Sequence, residues 1–260
     1  MNARLEALAD QNLPQAMRMH KRWQPAARLL ELNGALLHQG TVPIPTPYQN
    51  CAMRLDAAVR PEQFMLQAQA FFGGSANPYA VITQSRHDLD LDAYLANEGF
   101  IEQANLPTML TESSLEMPDI DAALRIDLLI QVCEIQAFVQ VCVQAYESLG
   151  LPAMFTPSFF VDPLAMMTAD VSIVLARNEQ SQPLACAMAL HTGEVAGVYW
   201  VGTVPQARGQ GLAAACTAAV TNLALEKGAK AVTLQATHFG EPTYKRLGFR
   251  EFGRMSRWSR

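Results

Sequence analysis

One stretch in the second half of the chain constrains the fold more than any other. An apolar run over residues 195–204 leads into a loop with two glycines, and a helical pattern over residues 212–227 leads into a second apolar run over residues 231–234. A strand, a helix and a strand in this order form a βαβ unit, whose right-handed crossover places both strands parallel in one sheet. The sequence therefore predicts an α/β fold that contains this parallel pair of strands.

The segments on either side of this unit have the patterns of further strands and helices. The predicted elements are a strand over residues 124–130, a helix over 132–149, a hairpin of strands over 171–176 and 184–190, a helix over 241–247 and one or two strands over 249–258. The second half is thus predicted to be a layered α/β unit.

The first half has weaker patterns. Apolar positions at helical spacing within residues 1–40 are interrupted by Pro14 and Pro25, which predicts short helices. Three prolines make residues 41–47 an extended connector, because each disfavours helix at the residue before it. The further predicted elements are a strand over residues 79–83 and an acidic helix over residues 89–97.

A polar, aperiodic segment over residues 111–121 separates the two halves. It contains Pro118, and a chain of 260 residues is long enough for two domains of ordinary size. We therefore expect an N-terminal domain over residues 1–118, either α/β or helical, and a C-terminal domain over residues 119–260.

The composition narrows the class of protein. Half of the residues are hydrophobic, 17% are charged and the net charge is -5, which is too acidic for a chain that binds nucleic acid. No apolar run approaches the roughly 20 residues that span a membrane. The five cysteines are scattered without metal-ligand spacing, so we expect no metal site and predict reduced, buried thiols in a cytoplasmic protein.

The loop of the βαβ unit carries the chemistry. Gly209 and Gly211 let the backbone approach a ligand, and the first turn of the following helix offers unpaired N–H groups with partial positive charge. Arg208 adds a guanidinium group. The loop therefore suits a diphosphate, although an ordinary strand-to-helix turn would use the same glycines.

Two common phosphate-binding motifs fit this loop poorly. A P-loop requires a lysine after its second glycine, and neither glycine here is followed by one. The dinucleotide fingerprint of the Rossmann fold is satisfied loosely by Gly209, Gly211 and Ala214, but the next strand ends without the acidic residue that binds the ribose.

A third pattern fits both the loop and its surroundings. The Gln-x-x-Gly-x-Gly pattern of residues 206–211 resembles the acetyl-CoA diphosphate loop of the GNAT superfamily of N-acetyltransferases. Downstream, Tyr244 followed by Gly248 and Phe249 resembles the helix that follows the next strand in that family. The two motifs occur in order with the right elements between them, and the resemblance covers about residues 124–258.

The resemblance implies how the co-substrate would be held. The sheet of this α/β (α+β) fold would be mixed and would splay open between the two strands of the βαβ unit, with the pantetheine arm of acetyl-CoA, or of another acyl-CoA, along the first strand. Gly202 either marks a bulge in that strand or allows close packing. The residues expected to contact the co-substrate are Val201, Thr203, Val204, Gln206, Arg208, Gly209, Gln210, Gly211, Leu212 and Ala213.

The resemblance also implies a catalytic role for Tyr244. This family position often supplies the acid that protonates the departing thiolate, and a phenol with an ordinary pKa of about 10 is protonated at neutral pH. The alternative is a tyrosine that only packs beside Phe249. No single general base is assigned, and the candidates are His191, Glu194 and His238.

The N-terminal half has a fainter similarity to the same family. Residues 94–100 are similar to residues 244–249, but no Gln-x-x-Gly-x-Gly pattern accompanies them. The half is either a degenerate GNAT-like copy or an unrelated helical cap. In either case it could wall an acceptor pocket, with Trp23, Phe71 and Phe72 as candidate lining residues.

These implications predict an acyl-CoA-dependent N-acyltransferase that moves acetyl from acetyl-CoA to a primary amine by direct attack in a ternary complex. The acceptor is expected to be a small-molecule amine or an amino-acid-like compound, with no nucleic acid or membrane as partner. A non-catalytic acyl-CoA-binding or regulatory module is the alternative.

Overall fold

The computed structural model describes residues 2–260, which contain seven α-helices and eleven strands. The helices are α1 (Ala3–Trp23), α2 (Pro61–Phe72), α3 (Leu89–Asn97), α4 (Ile135–Glu147), α5 (Pro163–Met166), α6 (Leu212–Glu226) and α7 (Glu241–Leu247). The strands are β1 (Arg28–Leu32), β2 (Ala35–Gln39), β3 (Cys51–Arg54), β4 (Ala80–Gln84), β5 (Ile101–Thr111), β6 (Arg125–Leu128), β7 (Val171–Arg177), β8 (Pro183–Thr192), β9 (Val195–Thr203), β10 (Ala231–Gln235) and β11 (Arg250–Ser259). Within residues 2–260, no helix has the length and apolar character needed to cross a membrane.

The eleven strands form one mixed sheet in the order β1-β2-β3-β4-β11-β5-β10-β9-β8-β7-β6. Neighbouring strands are antiparallel except for β3 with β4 and β9 with β10. Each parallel pair is joined by a crossover helix, α2 in the first half and α6 in the second, because parallel strands cannot be linked by a tight turn. The predicted βαβ unit and the predicted hairpin, β7–β8, are confirmed.

The two halves of the chain repeat one order of elements. In each half, three antiparallel strands, β1–β3 and β7–β9, lead through a crossover helix to a parallel strand, a second helix and a final strand, and the second half adds β6 beside β7. The final strands are exchanged: β5 of the first half pairs with β10, and β11 of the second half pairs with β4. The sheet is therefore continuous across the expected boundary at residue 118, and that boundary stays a prediction.

Helices cover both faces of the sheet. The α1 face carries α1 and α4, and there Asn12 of α1 accepts a hydrogen bond from the Tyr199 hydroxyl of β9 at 2.5 Å. The α6 face carries α2, α3, α6 and α7, and there Lys227 at the end of α6 donates to Ser172 of β7 at 2.8 Å. Because α1 belongs to the first half and β9 to the second, the halves share a core.

The N-terminal helix shows that the prediction of short helices within residues 1–40 is wrong. α1 continues through Pro14, which has no N–H to donate to the Asp10 carbonyl one turn earlier. Gln84 Nε2 of β4 donates to that carbonyl at 2.9 Å, so a tertiary contact satisfies the group that the proline leaves unpaired. Residues 28–39 then form the β1–β2 hairpin instead of a helix.

The cysteines follow the prediction with one exception. All five are free thiols, and four of them are buried. Cys133 is exposed, because it lies in a 3₁₀ turn, Val132–Glu134, at the surface before α4.

Candidate active site

The parallel strands β9 and β10 separate after a short contact. They pair only from Val195 to Gly197 on β9. β9 then continues to Thr203 without a partner on its β10 side, whereas β10 ends at Gln235. The result is a wedge-shaped opening, the β9–β10 gap, whose β9 wall can offer backbone N–H and C=O groups to an extended ligand. The predicted splay is confirmed.

A β-bulge interrupts the β9 wall of the gap. The register with β8 shifts between Tyr199 and Gly202, so Trp200 and Val201 oppose a single residue. Trp200 has a φ of +51°, a conformation that a bulky residue rarely adopts. The bulge therefore lies just before Gly202, and Gly202 allows close packing, because a Cβ there would lie 2.8 Å from Ala145 Cβ of α4.

Two tyrosines on opposite faces of the sheet lie near this bulge. The Tyr146 hydroxyl of α4 donates to the Val201 carbonyl at 3.1 Å. Tyr244 of α7 is close enough to Tyr146 that a phenolate at one position would raise the pKa of the other. Tyr146 is a site residue that sequence analysis missed, because only its helical spacing distinguishes it in the sequence.

Tyr244 is a half-buried phenol. Its ring packs edge-on against Phe249, with 6.1 Å between the ring centroids. Burial raises the pKa of Tyr244 to about 12, while the neighbouring Thr217 hydroxyl acts weakly in the opposite direction. Thr217 Oγ1 is buried and has no partner at hydrogen-bonding geometry. Tyr244 therefore stays protonated at neutral pH, which is the form that a proton donor needs.

The loop before α6 has the backbone that its glycines predict. Gly209 and Gly211 have φ values of +79° and +75°, in the left-handed region that favours glycine. Gly211 is the N-cap of α6, and Ala215 N donates to its carbonyl at 3.0 Å. The N–H groups of residues 212–214 precede this first helical bond and are left for a ligand. A helix N-terminus with free N–H groups, which can bind an anion, thus lies directly after the free edge of β9.

The side chain of Arg208 is bound to the end of α4. Its guanidinium donates to the Ala145 carbonyl at 3.3 Å and to the Ser148 hydroxyl. These bonds fix the loop against α4 and keep the positive charge of Arg208 at the C-terminal end of that helix.

The remaining residues expected at the co-substrate differ in what they can offer. Thr203 Oγ1 is buried and has no hydrogen-bond partner. Val204 uses both backbone groups internally: its N–H donates to the Leu184 carbonyl at 2.9 Å, and its carbonyl accepts from Ala207 at 3.0 Å. The others lie along β9, the glycine loop and the start of α6. Val201 and Ala213 are half-buried, Leu212 is buried, and Gln206 and Gln210 are exposed.

The structure does not bring the candidate bases together. Glu194 forms a surface ion pair with Arg4 at the start of β9, whereas the gap opens towards the end of that strand. His191 lies at the same distant end, and burial lowers its pKa. His238 is exposed in the loop after β10, with its ring beside Phe239.

A histidine that sequence analysis did not single out lies beside the bulge. His20 Nε2 accepts from Trp200 Nε1 at 2.8 Å, and His20 Nδ1 donates to the Ala16 carbonyl at 2.7 Å. The ring also stacks on Tyr48 with 3.8 Å between centroids, and burial lowers the pKa of His20 to about 3. Both nitrogens are engaged in the neutral form, so His20 holds Trp200 in place and is not free to accept a proton.

Comparison with known proteins agrees with this geometry. Residues 142–257 match the family model described as "Acetyltransferase (GNAT) domain". No curated protein matches the sequence.

Solved structures with the same fold cover nearly the whole chain. A GCN5-related N-acetyltransferase from Kribbella flavida is 19% identical, with 95% of each chain covered and a TM-score of 0.71. A GCN5-related N-acetyltransferase from Sphaerobacter thermophilus is 12% identical over 89% of this chain and 82% of its own, with a TM-score of 0.64. A tandem GNAT protein from the clavulanic acid biosynthesis pathway is 12% identical over 96% and 95%, with a TM-score of 0.63.

The family match spans α4, the β9–β10 gap, the glycine loop and Tyr244. The structural neighbours show that the fold of residues outside this match also occurs in GNAT proteins. Residues 142–257 thus match the GNAT acetyltransferase domain, which in its family implies acyl-CoA-dependent acetyl transfer.

Proposed function

We propose that the chain transfers an acetyl group from acetyl-CoA to a primary amine of a small molecule, by direct attack of the amine on the thioester in a ternary complex. The observation that carries the proposal is the β9–β10 gap, which joins a free strand edge, a bulge and a helix N-terminus in one groove. Pantetheine is an extended chain with amide groups and ends in a diphosphate, so these features match it in order.

The co-substrate contacts follow from the geometry of the loop and strand. The diphosphate accepts hydrogen bonds from backbone N–H groups between Gly209 and Ala213, with Gln206, Arg208 and Gln210 around it. The pantetheine arm lies along β9, where the unpartnered Thr203 hydroxyl is available to it. The Val201 carbonyl already accepts from Tyr146, so Val201 contributes its N–H or its side chain.

The chemistry requires a neutral amine, donors for the developing oxyanion and a proton for the departing sulfur. The amine nitrogen forms the new C–N bond to the acetyl carbon, the C–S bond breaks, and the thiolate takes up a proton. Tyr244 supplies that proton, because its phenol remains protonated at neutral pH. The bulge at Trp200 interrupts the ladder with β8 beside the thioester, where a backbone N–H can stabilise the oxyanion.

The acceptor approaches from the α1 face. The glycine loop, α6 and α7 hold the co-substrate from the α6 face, so that side of the thioester is covered. The α1 face of the gap is lined by residues of both halves, including Tyr48 and Trp200. The first half thus contributes to the acceptor side.

We further propose that the first half is a GNAT-like copy that binds no co-substrate. Where the second half has its glycine loop, residues 55–60 contain no glycine and carry Asp56. At the end of β3, the buried Arg54 is bound to Asp88 at 2.8 Å and to Asp90 at 2.5 Å. These carboxylates and the lack of glycine disfavour a diphosphate there.

The position equivalent to Tyr244 in the first half is also changed. Phe249 N donates to the Tyr244 carbonyl at 3.0 Å, and Phe100 N donates in the same way to the Leu95 carbonyl at 3.0 Å. Leu95, and not Tyr94, therefore takes the place of the proposed acid. We expect one acetyl-CoA per chain.

A non-catalytic acyl-CoA-binding module is the second candidate, and one observation favours it. Both nitrogens of His20, the histidine beside the bulge, are engaged, so this side chain cannot deprotonate an acceptor. An enzyme built this way depends on amines that arrive neutral or lose their proton to water. Its rate should therefore rise with pH towards the pKa of the amine.

The test combines binding with turnover. Calorimetry on protein freed of co-substrate should give one acetyl-CoA per chain, and acetyl-CoA at 100 times Kd should stabilise the fold by about 2.7 kcal/mol. A panel of amines is then assayed for free thiol release. Lack of acetyl-CoA binding would contradict the assignment of the gap, and binding without thiol release from any amine would favour the binding module.

A further inference from the structure

Among the arginines that are buried or half-buried in residues 2–260, Arg257 of β11 is the one without a carboxylate partner. Its guanidinium is half-buried and has neither an ion-pair nor a hydrogen-bond partner among the described residues. The other four arginines of this kind each pair with a carboxylate. They are Arg18 with Glu31, Arg54 with Asp88, Arg177 with Glu134 and Arg254 with Glu251.

The strand register places Arg257 on the α1 face. Met255, two residues earlier on β11, pairs with Gln84, and the Gln84 amide donates to the Asp10 carbonyl of α1. Residues two apart on a strand share a face of the sheet. Arg257 therefore lies on the face from which the acceptor approaches.

The same register places Arg257 next to the β9–β10 gap. β10 last pairs with β5 at Gln235 and Thr108, and Ala236 N donates to the Pro107 carbonyl just beyond. Residues 101–106 of β5 then have no strand on their β10 side, so they form the wall of the gap opposite β9. Arg257 is paired with Ala104 of this wall.

At that register, only β5 lies between Arg257 and the gap. One strand spacing, about 4.8 Å, separates Arg257 from the β5 wall, and an extended arginine side chain is longer than this. The wall residue paired with Arg257 is Ala104, whose methyl is half-buried, and a register shift follows at once, with Gln103 as the extra residue of β5. A guanidinium that extends over Ala104 reaches the α1-face side of the gap.

An unpaired cation in a partly desolvated position costs stability unless a counter-charge binds there. Burial lowers the pKa of Arg257, and no neighbouring carboxylate acts against that effect. A planar guanidinium binds a carboxylate through two parallel hydrogen bonds, which fixes orientation as well as charge. The missing partner is therefore best supplied by an anionic group of a ligand in the gap.

We propose that Arg257 binds a carboxylate of the acceptor, so that the acceptor class is an amine that also carries a carboxylate, such as a free amino acid. The inference rests on the proposed function, because it needs the acceptor on the α1 face of the gap. It selects the amino-acid-like acceptor over an amine without an acidic group.

The test compares free L-amino acids with the corresponding L-amino acid amides, which keep the amine and lose the carboxylate. Binding to acetyl-CoA-loaded protein is measured by calorimetry for the wild type and for Arg257→Met. Arg250→Met is the matched control, because it removes the same charge from the same strand. Arg250 is exposed, and its only ion-pair partner is Glu112 at 3.8 Å. Arg257→Lys keeps the charge and serves as a second variant if the methionine variant is unstable.

The expected result is that at least one amino acid binds 10–100-fold more tightly than its amide in the wild type and in Arg250→Met. Arg257→Met should lose this preference, Arg257→Lys should keep part of it, and the Kd of acetyl-CoA should not change in any variant. Equal binding of acids and amides, no binding of any acid, or a preference that survives in Arg257→Met would overturn the inference.

Thiol release, measured in parallel, distinguishes this inference from the proposed function. A carboxylate preference that depends on Arg257 without any thiol release would leave the carboxylate site standing and count against acetyl transfer. Thiol release with amides and acids at equal kcat/KM would support acetyl transfer and refute the role of Arg257.

Discussion

Replacement of Gly211 by valine distinguishes a glycine needed for ligand binding from one needed only for backbone geometry. Gly211 caps the start of α6 with a φ of +75°, and Gly228 follows the end of the same helix with a φ of +102°. A Cβ at Gly228 would meet nothing within 4 Å, and one at Gly211 would meet only the Asp119 carbonyl at 4.0 Å. Gly228→Val is therefore a closely matched control for Gly211→Val.

Both substitutions force a β-branched residue into the left-handed region. The cost to stability is about 1–3 kcal/mol for each, and one kcal/mol lowers Tm by about 2–4 °C in a chain of this size. The two variants should therefore melt at similarly reduced temperatures. Only Gly211→Val places its methyl groups beside the free N–H groups of residues 212–214, where the diphosphate is proposed to bind.

A hydrogen bond to a charged group contributes about 1.5–3 kcal/mol, so the loss of one should weaken acetyl-CoA binding by about 10–100-fold. Calorimetric titration measures this at a temperature where both variants are folded. Gly228→Val should retain the wild-type Kd. Equal affinities in the two variants would refute the reasoning and leave Gly211 a purely structural residue.

Three further changes test other parts of the account. Tyr244→Phe keeps the ring against Phe249 but removes the proposed acid. We therefore expect kcat to fall about 100-fold while the Kd of acetyl-CoA stays unchanged. Full activity in thiol-release assays would reduce Tyr244 to a packing residue. His38 is fully buried with both ring nitrogens unpartnered, and burial lowers its pKa to about 4. Below about pH 6.5, His38 binds a proton in the unfolded chain but not in the folded chain. The free energy of unfolding therefore falls by about 1.4 kcal/mol per pH unit as the pH falls from 6.5 to 4. Urea unfolding at pH 7 and pH 5 should show a smaller drop in the free energy of unfolding for His38→Leu than for the wild type. An equal drop in both proteins would contradict this expectation. Gln84→Met leaves the Asp10 carbonyl beside Pro14 without a donor and should cost about 1–3 kcal/mol in the same assay; wild-type stability would mean that the carbonyl finds another partner.

The second half of the chain was predictable because its strands are buried on both faces. β9 has six consecutive buried residues at its start, which appears in the sequence as an uninterrupted apolar run. Glycines mark the ends of α6 and α7 and leave little choice for their boundaries. The glycine loop and Tyr244 were found for the same reason, since each belongs to a short local pattern.

The first half was harder because its strands and helices depend on distant partners. α1 keeps its helical path through Pro14 only because Gln84, 74 residues away from Asp10, supplies a donor. β5 contains Pro107 and is exposed over its first residues, so it lacks the pattern of a central strand. It lies in the middle of the sheet because the two halves exchange their final strands.

The same dependence explains which site residues were missed. Tyr146 is defined by its bond to Val201, 55 residues away, and His20 by its bond to Trp200, 180 residues away. Arg257 is distinguished by the lack of a partner, which no sequence pattern reveals. Local motifs therefore indicated the loop that we propose for the co-substrate, whereas the residues around the bulge required the tertiary structure.

In the proposed function, acetyl-CoA occupies the β9–β10 gap with its diphosphate at the start of α6. A crystal structure of the protein grown with acetyl-CoA tests this directly. We expect one co-substrate per chain, with diphosphate density on the N–H groups between Gly209 and Ala213 and the thioester beside Val201. Density for acetyl-CoA in the first half near Arg54, or outside the gap altogether, would contradict it.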